Sequence, residues 1–170
     1  MKPVDLVEPT DLAGGATVEL HLRVNERERT AVTPPGETLL TTLRERFGLM
    51  SVRGTCYIGV CGACTVLVNG RPISACLALT ALHEGMEITT AEGLLDSDGE
   101  PDPIQAAFIA HSAFQCSYCT PAMVLATKAL LAEIPEPTIE EIREHLSGNL
   151  CRCGSYPNVI EAIRSLAEKG

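Results

Sequence analysis

Eight cysteines stand in two sets of four, Cys56-x4-Cys61-x2-Cys64-x11-Cys76 and Cys116-x2-Cys119-x31-Cys151-x-Cys153, and every cysteine is used once. Four thiolates are the complement of one all-sulfur metal centre, so the arithmetic points to two such centres on one chain. The fold must therefore bring two short cysteine loops to two points and close each from a distance.

Composition narrows what such a chain does. At 170 residues and 45% hydrophobic, it has the size and apolar content of one domain or two small ones. A formal net charge of -9 argues against a nucleic-acid or anionic-membrane partner, since either needs basic groups to neutralise phosphate. Trp is absent and aromatics make up 4%, which leaves little to stack bases on. The first fifteen residues lack the apolar run of a signal peptide, and no later stretch is long enough to span a bilayer. The expectation is a cytoplasmic protein, and in that reducing compartment clustered cysteines serve as metal ligands before they serve as disulfides.

The chain divides by pattern. Residues 1–16, with Pro3, Pro9, Gly14 and Gly15, read as a flexible leader. Val18, Leu20, Leu22 and Val24 alternate with Glu19, His21 and Arg23, the period of a half-buried strand; a second strand is expected over 28–33, after a turn at Asn25 and Glu26. Leu39, Leu40, Leu43 and Phe47 recur at helical spacing, with Gly48 placed to end the helix. Thr65–Val68, Asn69-Gly70 and Arg71–Ile73 form a hairpin signal, because Asn-Gly supplies the positive φ angles of a type I′ turn. A further short strand is expected near 86–89. These elements predict a small mixed sheet of ferredoxin type over 17–93, with a helix on one face.

Residues 94–103 are polar and turn-rich and read as a linker. From 104 to 170 the pattern is helical. Pro103 opens a helix carrying Ile104, Ala107, Phe108 and Phe114; Pro121 opens another with Met123, Leu125, Leu130 and Leu131. Thr138 to Glu141 is a capping box, and a last helix starts near Pro157. The expectation is α+β overall, the second half being a compact four-helix unit.

The C-x4-C-x2-C spacing with a distant fourth ligand is the plant-type ferredoxin pattern, which wraps a loop around a [2Fe–2S] cluster. Gly59 and Gly62 lie in that loop, where positive φ lets backbone amides turn towards sulfur. Cys116 and Cys119 precede Pro121, and Cys151 and Cys153 precede Pro157. Both pairs are thus expected near helix N-termini, where free N–H groups favour an anionic iron–thiolate centre. Structural zinc is the competing chemistry, but zinc sites favour paired C-x2-4-C knuckles, which neither set repeats.

Three segments carry a resemblance: Cys-Tyr-Ile-Gly-Val-Cys-Gly-Ala-Cys-Thr at 56–65, Gln-Cys-Ser-Tyr-Cys-Thr-Pro-Ala-Met at 115–123 and Leu-Ser-Gly-Asn-Leu-Cys-Arg-Cys at 146–153. Together they resemble the iron–sulfur small subunit of the molybdenum hydroxylases, the xanthine dehydrogenase and aerobic carbon monoxide dehydrogenase type. The likeness runs over residues 17–168 and keeps all eight cysteines in register.

The resemblance implies an N-terminal β-grasp domain with one [2Fe–2S] cluster on Cys56, Cys61, Cys64 and Cys76. It implies a C-terminal four-helix domain with the other on Cys116, Cys119, Cys151 and Cys153. It further implies a large subunit holding a molybdenum–pterin cofactor, a medium FAD subunit, and a heterotrimer or dimer of heterotrimers. Single electrons would run from molybdenum through the helical cluster and the ferredoxin-like cluster to FAD, with no substrate chemistry on this chain. Gln115 matches a glutamine that hydrogen-bonds the pterin, and Cys153 matches the ligand lying against it; a helix-capping role for Gln115 is the plain alternative.

Three departures from the family pattern bear on loop shape: Thr55 before the first cysteine, Ser117 and Ala122 at usual glycines, and Gly154-Ser155 before Tyr156. His21, His83, His111 and His145 show no ligand spacing. Two other readings stand beside the subunit: an unpartnered ferredoxin-like carrier, and a reductase that runs electrons towards molybdenum. Export to the periplasm on a partner's signal is the exception to the cytoplasmic expectation.

Overall fold

Alternation between apolar and polar residues builds the first strand as expected, β1 at Val18–Val24, with Leu20, Leu22 and Val24 buried and Glu19, His21 and Arg23 exposed. The computed structural model describes residues 16–95 and 98–167. All but the last residue of the expected leader lie outside the described residues, as do two residues of the expected linker.

The turn at Asn25 and Glu26, both at positive φ (51° and 63°), returns the chain antiparallel as β2, Arg27–Thr33. Asn25 also ties the turn to the end of the first half: its carboxamide accepts from Thr90 N at 2.8 Å and donates to Thr90 Oγ1 at 3.0 Å.

The expected helix forms in two parts. Leu39–Thr41 is α-helical (α1) and Thr42–Arg46 widens into a π turn, with Phe47 N bonding back to Thr42 O at 3.2 Å. The buried Thr42 hydroxyl donates to Glu37 at 2.7 Å and meets Thr80 Oγ1 at 2.8 Å, while Arg46 grips Glu37 through two bonds of 2.7 and 2.6 Å. Gly48 (φ 69°) ends the segment.

The hairpin of β3, Thr65–Val68, and β4, Arg71–Ser74, turns on Asn69 and Gly70, both at positive φ. With β5, Glu87–Thr89, the sheet runs β2-β1-β5-β3-β4; only β1 and β5 pair in parallel. Leu22, Val24, Leu39, Leu43, Val66 and Ile88 fill the core between sheet and helix.

A second core belongs to the helices: α2 at Pro103–Ala110, α3 at Thr120–Glu133, α4 at Ile139–His145 and α5 at Tyr156–Ala167. Asp102 and Gln105 make a capping box on α2, and Thr138 and Glu141 make the expected one on α4. One placement differs from expectation. Phe114 is not on α2, which stops at Ala110; the chain turns through Ser112 at φ 48° and buries Ala113 in the core instead.

Helix α3 is buried on nearly every side because it packs against β3 and β4 as well as against the other helices. Leu67 points into the helical core while Val66 and Val68 point into the sheet core, so β3 is buried on both faces. This strand immediately follows Cys64, and α3 immediately follows Cys119, so their packing draws the two cysteine loops together. Among the described residues, no helix is long and apolar enough to cross a membrane.

Candidate metal centres

None of the eight cysteines is in a disulfide. The first loop, between α1 and β3, carries three left-handed residues, Tyr57, Gly59 and Gly62 (φ 57°, 74° and 66°). These curl the backbone so that the N–H groups of Ile58, Cys61 and Val60 donate to the Cys56 sulfur, and with the Cys61 thiol they lower its pKa to about 6. Cys64 sits in the sheet core next to Cys76; burial first, then the neighbouring Cys76 thiol, raises it to about 11. With Cys76 arriving from beyond the β3–β4 hairpin, the first site thus offers two thiol pairs, an outer Cys56 with Cys61 and an inner Cys64 with Cys76.

The second site is assembled from two segments. Cys119 is the N-cap residue of α3, Cys116 lies three residues before it, and Ser117 between them adopts φ 61°. Cys151 and Cys153 occupy the bend between the turn at Leu146–Gly148 and α5, followed by Gly154 at φ 77°. Both segments therefore run into helix N-termini, as the sequence predicts.

Here the pairs cross between segments. Cys116 Sγ lies 3.5 Å from Cys153 Sγ, and Cys119 hydrogen-bonds Cys151. The Tyr118 N–H and then the Cys153 thiol lower the pKa of Cys116. Burial, followed by Cys151, pushes Cys119 up to about 12. At Cys151 burial opposes ionisation, yet the Ser155 N–H and the Cys119 thiol outweigh it and the net shift is downward.

These arrangements test whether an iron–sulfur cluster fits. Among the described residues, no three His, Cys, Asp or Glu side chains converge as a single ion would require. A [2Fe–2S] cluster asks for two thiolates at each of two irons, and four thiols in two pairs is what each site supplies. The buried Ser155 hydroxyl faces the Cys151 sulfur and, with the Ser155 N–H, favours the thiolate there, the form that a cluster iron binds.

The sites touch along a seam. Leu150 N donates to Cys61 O at 2.9 Å, and Asn149 Nδ2 donates to Gly62 O at 3.0 Å and to Thr65 Oγ1 at 3.1 Å. A Cβ at Gly62 would strike the Gly148 carbonyl and the Asn149 amide, so the close approach demands glycine. Tyr156 holds the far side, accepting from Cys151 N and donating to Asn149 O, both at 2.9 Å. A cleft of about 380 Å³ opens between the loops, lined by Thr55, Cys61, Cys116, Cys119, Cys151 and Cys153. A roomier cleft of about 670 Å³, bordered by α4 and α5, contains no cysteine.

The structure brings Gln115 to Cys153: its Nε2 donates to the Cys153 carbonyl at 3.2 Å, and both residues stand on the open side of the second site. The histidine rings make local contacts: His21 meets Thr30 and Glu19, and His83 meets Leu79 O. Sequence reasoning missed Asn149, Tyr118 and Tyr156 as the residues that join the loops. The available signal was their position, polar side chains flanking the cysteines.

The chain matches the 2Fe-2S iron-sulfur cluster binding domain over residues 22–93 and the [2Fe-2S] binding domain over residues 90–164. It is 46% identical over 166 residues to the aldehyde oxidoreductase iron-sulfur-binding subunit PaoA of Escherichia coli (strain K12), covering 87% of this chain and 71% of the relative. It is 45% identical over 152 residues to the nicotinate dehydrogenase small FeS subunit of Eubacterium barkeri, covering 89% of this chain and 96% of that one. Among solved structures it superposes on a chain of quinoline 2-oxidoreductase from Pseudomonas putida 86 with a TM-score of 0.84, at 37% identity, covering 91% of this chain and 98% of that one.

Proposed function

We infer from two facts, that this chain belongs to the [2Fe–2S] small subunits of the molybdenum hydroxylases and that its thiols stand in four pairs, how it works. It is the electron-transfer subunit of an oxidoreductase and carries out no substrate chemistry itself. Cys56, Cys61, Cys64 and Cys76 hold one cluster, and Cys116, Cys119, Cys151 and Cys153 hold the other. Each thiol pair takes one iron. When bound, each cluster takes up and returns one electron at a time.

The residues of this chain do the holding and the tuning. The amides aimed at Cys56 and Cys116 stabilise anionic sulfur, and hydrogen bonds to cluster sulfurs are among the levers that set a reduction potential. The helix N-termini behind Cys119 and ahead of Tyr156 act in the same sense. The seam through Leu150 and Asn149 keeps the two loops at a fixed separation.

Residues 17–93 form a β-grasp ferredoxin-like domain and 104–170 a four-helix domain, joined by a linker at 94–103 after a leader at 1–16. Gln115 and Cys153 face the molybdenum–pterin cofactor of a large partner subunit, a reading supported by their shared hydrogen bond on the exposed side of the second site. Electrons enter there and leave from the Cys56–Cys61 side to FAD on a medium subunit, within a cytoplasmic heterotrimer or dimer of heterotrimers.

The pairing of the thiols carries the assignment of the ligands. Low-temperature EPR of the dithionite-reduced chain, with iron and zinc measured on the same sample, tests it. Two distinct [2Fe–2S] signals and about four irons per chain are expected; zinc without either signal would overturn it.

A further inference from the structure

One side chain spans the space between the two cysteine loops. Tyr118 lies between Cys116 and Cys119, and its hydroxyl reaches across to donate to the Gly54 carbonyl at 3.0 Å. The Thr55 hydroxyl donates back to it at 3.4 Å. Gly54 and Thr55 are the two residues that lead into Cys56, so the contact joins the start of one cysteine loop to the middle of the other.

The bridge is buttressed at both ends. The Arg53 guanidinium lies over the Tyr118 ring, 5.4 Å from its centroid. Arg53 Nε is buried with no hydrogen-bond partner among the described residues, so the ring face supplies a share of that cation's stabilisation. On the other side of the strand of chain, a Cβ at Gly54 would collide with the Tyr57 ring, so Gly54 is pressed beneath Tyr57 and held from beyond by Tyr118. Ser117 takes a left-handed turn (φ 61°) immediately before Tyr118. A residue at that strained angle and a buried Arg53 Nε turned to the ring are both accounted for if the ring has to sit there.

We propose that Tyr118 is a positioning residue for electron transfer between the two centres: a strut, with Arg53 as its cap, that sets the separation and relative orientation of the Cys56–Cys64 and Cys116–Cys119 loops. The backbone seam at Leu150 and Asn149 joins Cys61 and Gly62 to the Cys151 segment of the second site; Tyr118 joins the start of the first loop, at Gly54 and Thr55, to the other segment of that site. Two separated ties resist rotation of one loop about the other, which a single tie cannot do. The inference rests on the two-cluster reading given above.

Two variants of the full chain separate the parts of the strut. Tyr118→Phe keeps the ring under Arg53 and removes the hydroxyl; Tyr118→Leu removes both. In Tyr118→Phe, amide hydrogen exchange across residues 54–56 is expected to quicken roughly twofold to fivefold, the change that goes with losing one exposed neutral hydrogen bond. Tyr118→Leu is expected to quicken it further.

With both clusters reduced, the spin–spin interaction between them, read from EPR line splitting and relaxation, should change in the same order while four irons and both individual signals remain. Unchanged exchange and unchanged spin–spin interaction in Tyr118→Leu would overturn the proposal. So would loss of one cluster's iron in Tyr118→Phe, because the residue would then be holding a site together and not spacing two. Exchange is also compared in the metal-free chains. If the wild-type chain binds no clusters, the function assigned above fails, and exchange alone still decides whether Tyr118 ties the loops.

Discussion

The two cysteine sites solve one problem by different routes. In the first, thiols pair in the order in which they occur, Cys56 with Cys61 and Cys64 with Cys76, and most of the cradle is one loop curled by Tyr57, Gly59 and Gly62. In the second, the pairs run crosswise, Cys116 with Cys153 and Cys119 with Cys151, so neither pair exists until two distant segments meet. The first site is written largely into local backbone geometry. The second depends on the packing that brings the N-terminus of α3 beside that of α5. In both, one thiol is raised by burial while another is lowered by backbone amides, which gives each cradle a core side and an open side.

The sharpest way to break this comparison is to remove one ligand from each site. Cys61→Ser is expected to abolish the signal of the first centre alone, since the seam reaches Cys61 through its carbonyl and not its sulfur. Cys119→Ser is expected to abolish the second alone and to cut exchange of electrons with molybdenum. If either variant, still folded by circular dichroism, loses both EPR signals, the sites are not separable.

Next in size is a change that touches no cysteine. Ile163 on α5 is fully buried in the helical core, and Ile163→Ala costs about 2–5 kcal/mol by the usual cavity argument. The crosswise site should suffer first: partial denaturation in urea is expected to bleach the second signal at a lower concentration than the first. Leu22→Ala, equally buried in the sheet core, should reverse the order. Equal loss of both signals in each variant would mean that the cores act as one.

Much of this was legible in the chain because local rules decided it. Alternation placed β1, Asn-Gly placed the β3–β4 hairpin, and the capping box at Thr138 and Glu141 placed α4. The cysteine sets were legible by spacing. What could not be read was anything that depends on two distant segments touching: the crossing of pairs in the second site, Leu67 facing the helices, and the Asn149 amide reaching Gly62. Phe114 was misplaced for a related reason; its helical spacing is satisfied on paper, but Ser112 breaks the helix and Ala113 takes the buried place.

A smaller effect separates the scaffold of the first half from its metal centre. Burial opposes the charged form of Glu37, but hydrogen bonds from Arg46 and Thr42 outweigh it, so its carboxyl is held below the ordinary range. A lowered folded-state pKa gives stability that is present above the unfolded value of about 4.3 and is lost as pH falls through the folded value. Glu37→Gln should therefore lower the urea midpoint at neutral pH, and the gap from wild type should close below about pH 4. A gap that persists at low pH would mean that Glu37 acts through packing and not through charge.

The smallest expected effect tests how each loop tolerates its left-handed turns. The first loop gives glycine to two of its three, at 59 and 62, and Gly62 has no alternative because its neighbour's carbonyl leaves no room for a side chain. The second loop asks the same angle of Ser117, where φ is 61° and an L side chain costs about 1–2 kcal/mol. Ser117→Gly relieves that cost, while the extra freedom of glycine in the unfolded chain takes back about 0.5–1 kcal/mol. The net expectation is a stabilisation between zero and about 1.5 kcal/mol, measured by urea unfolding, with iron content and both signals unchanged. If Ser117→Gly destabilises the chain, the serine earns its place through its side chain, and the strain at this turn is not the term that matters.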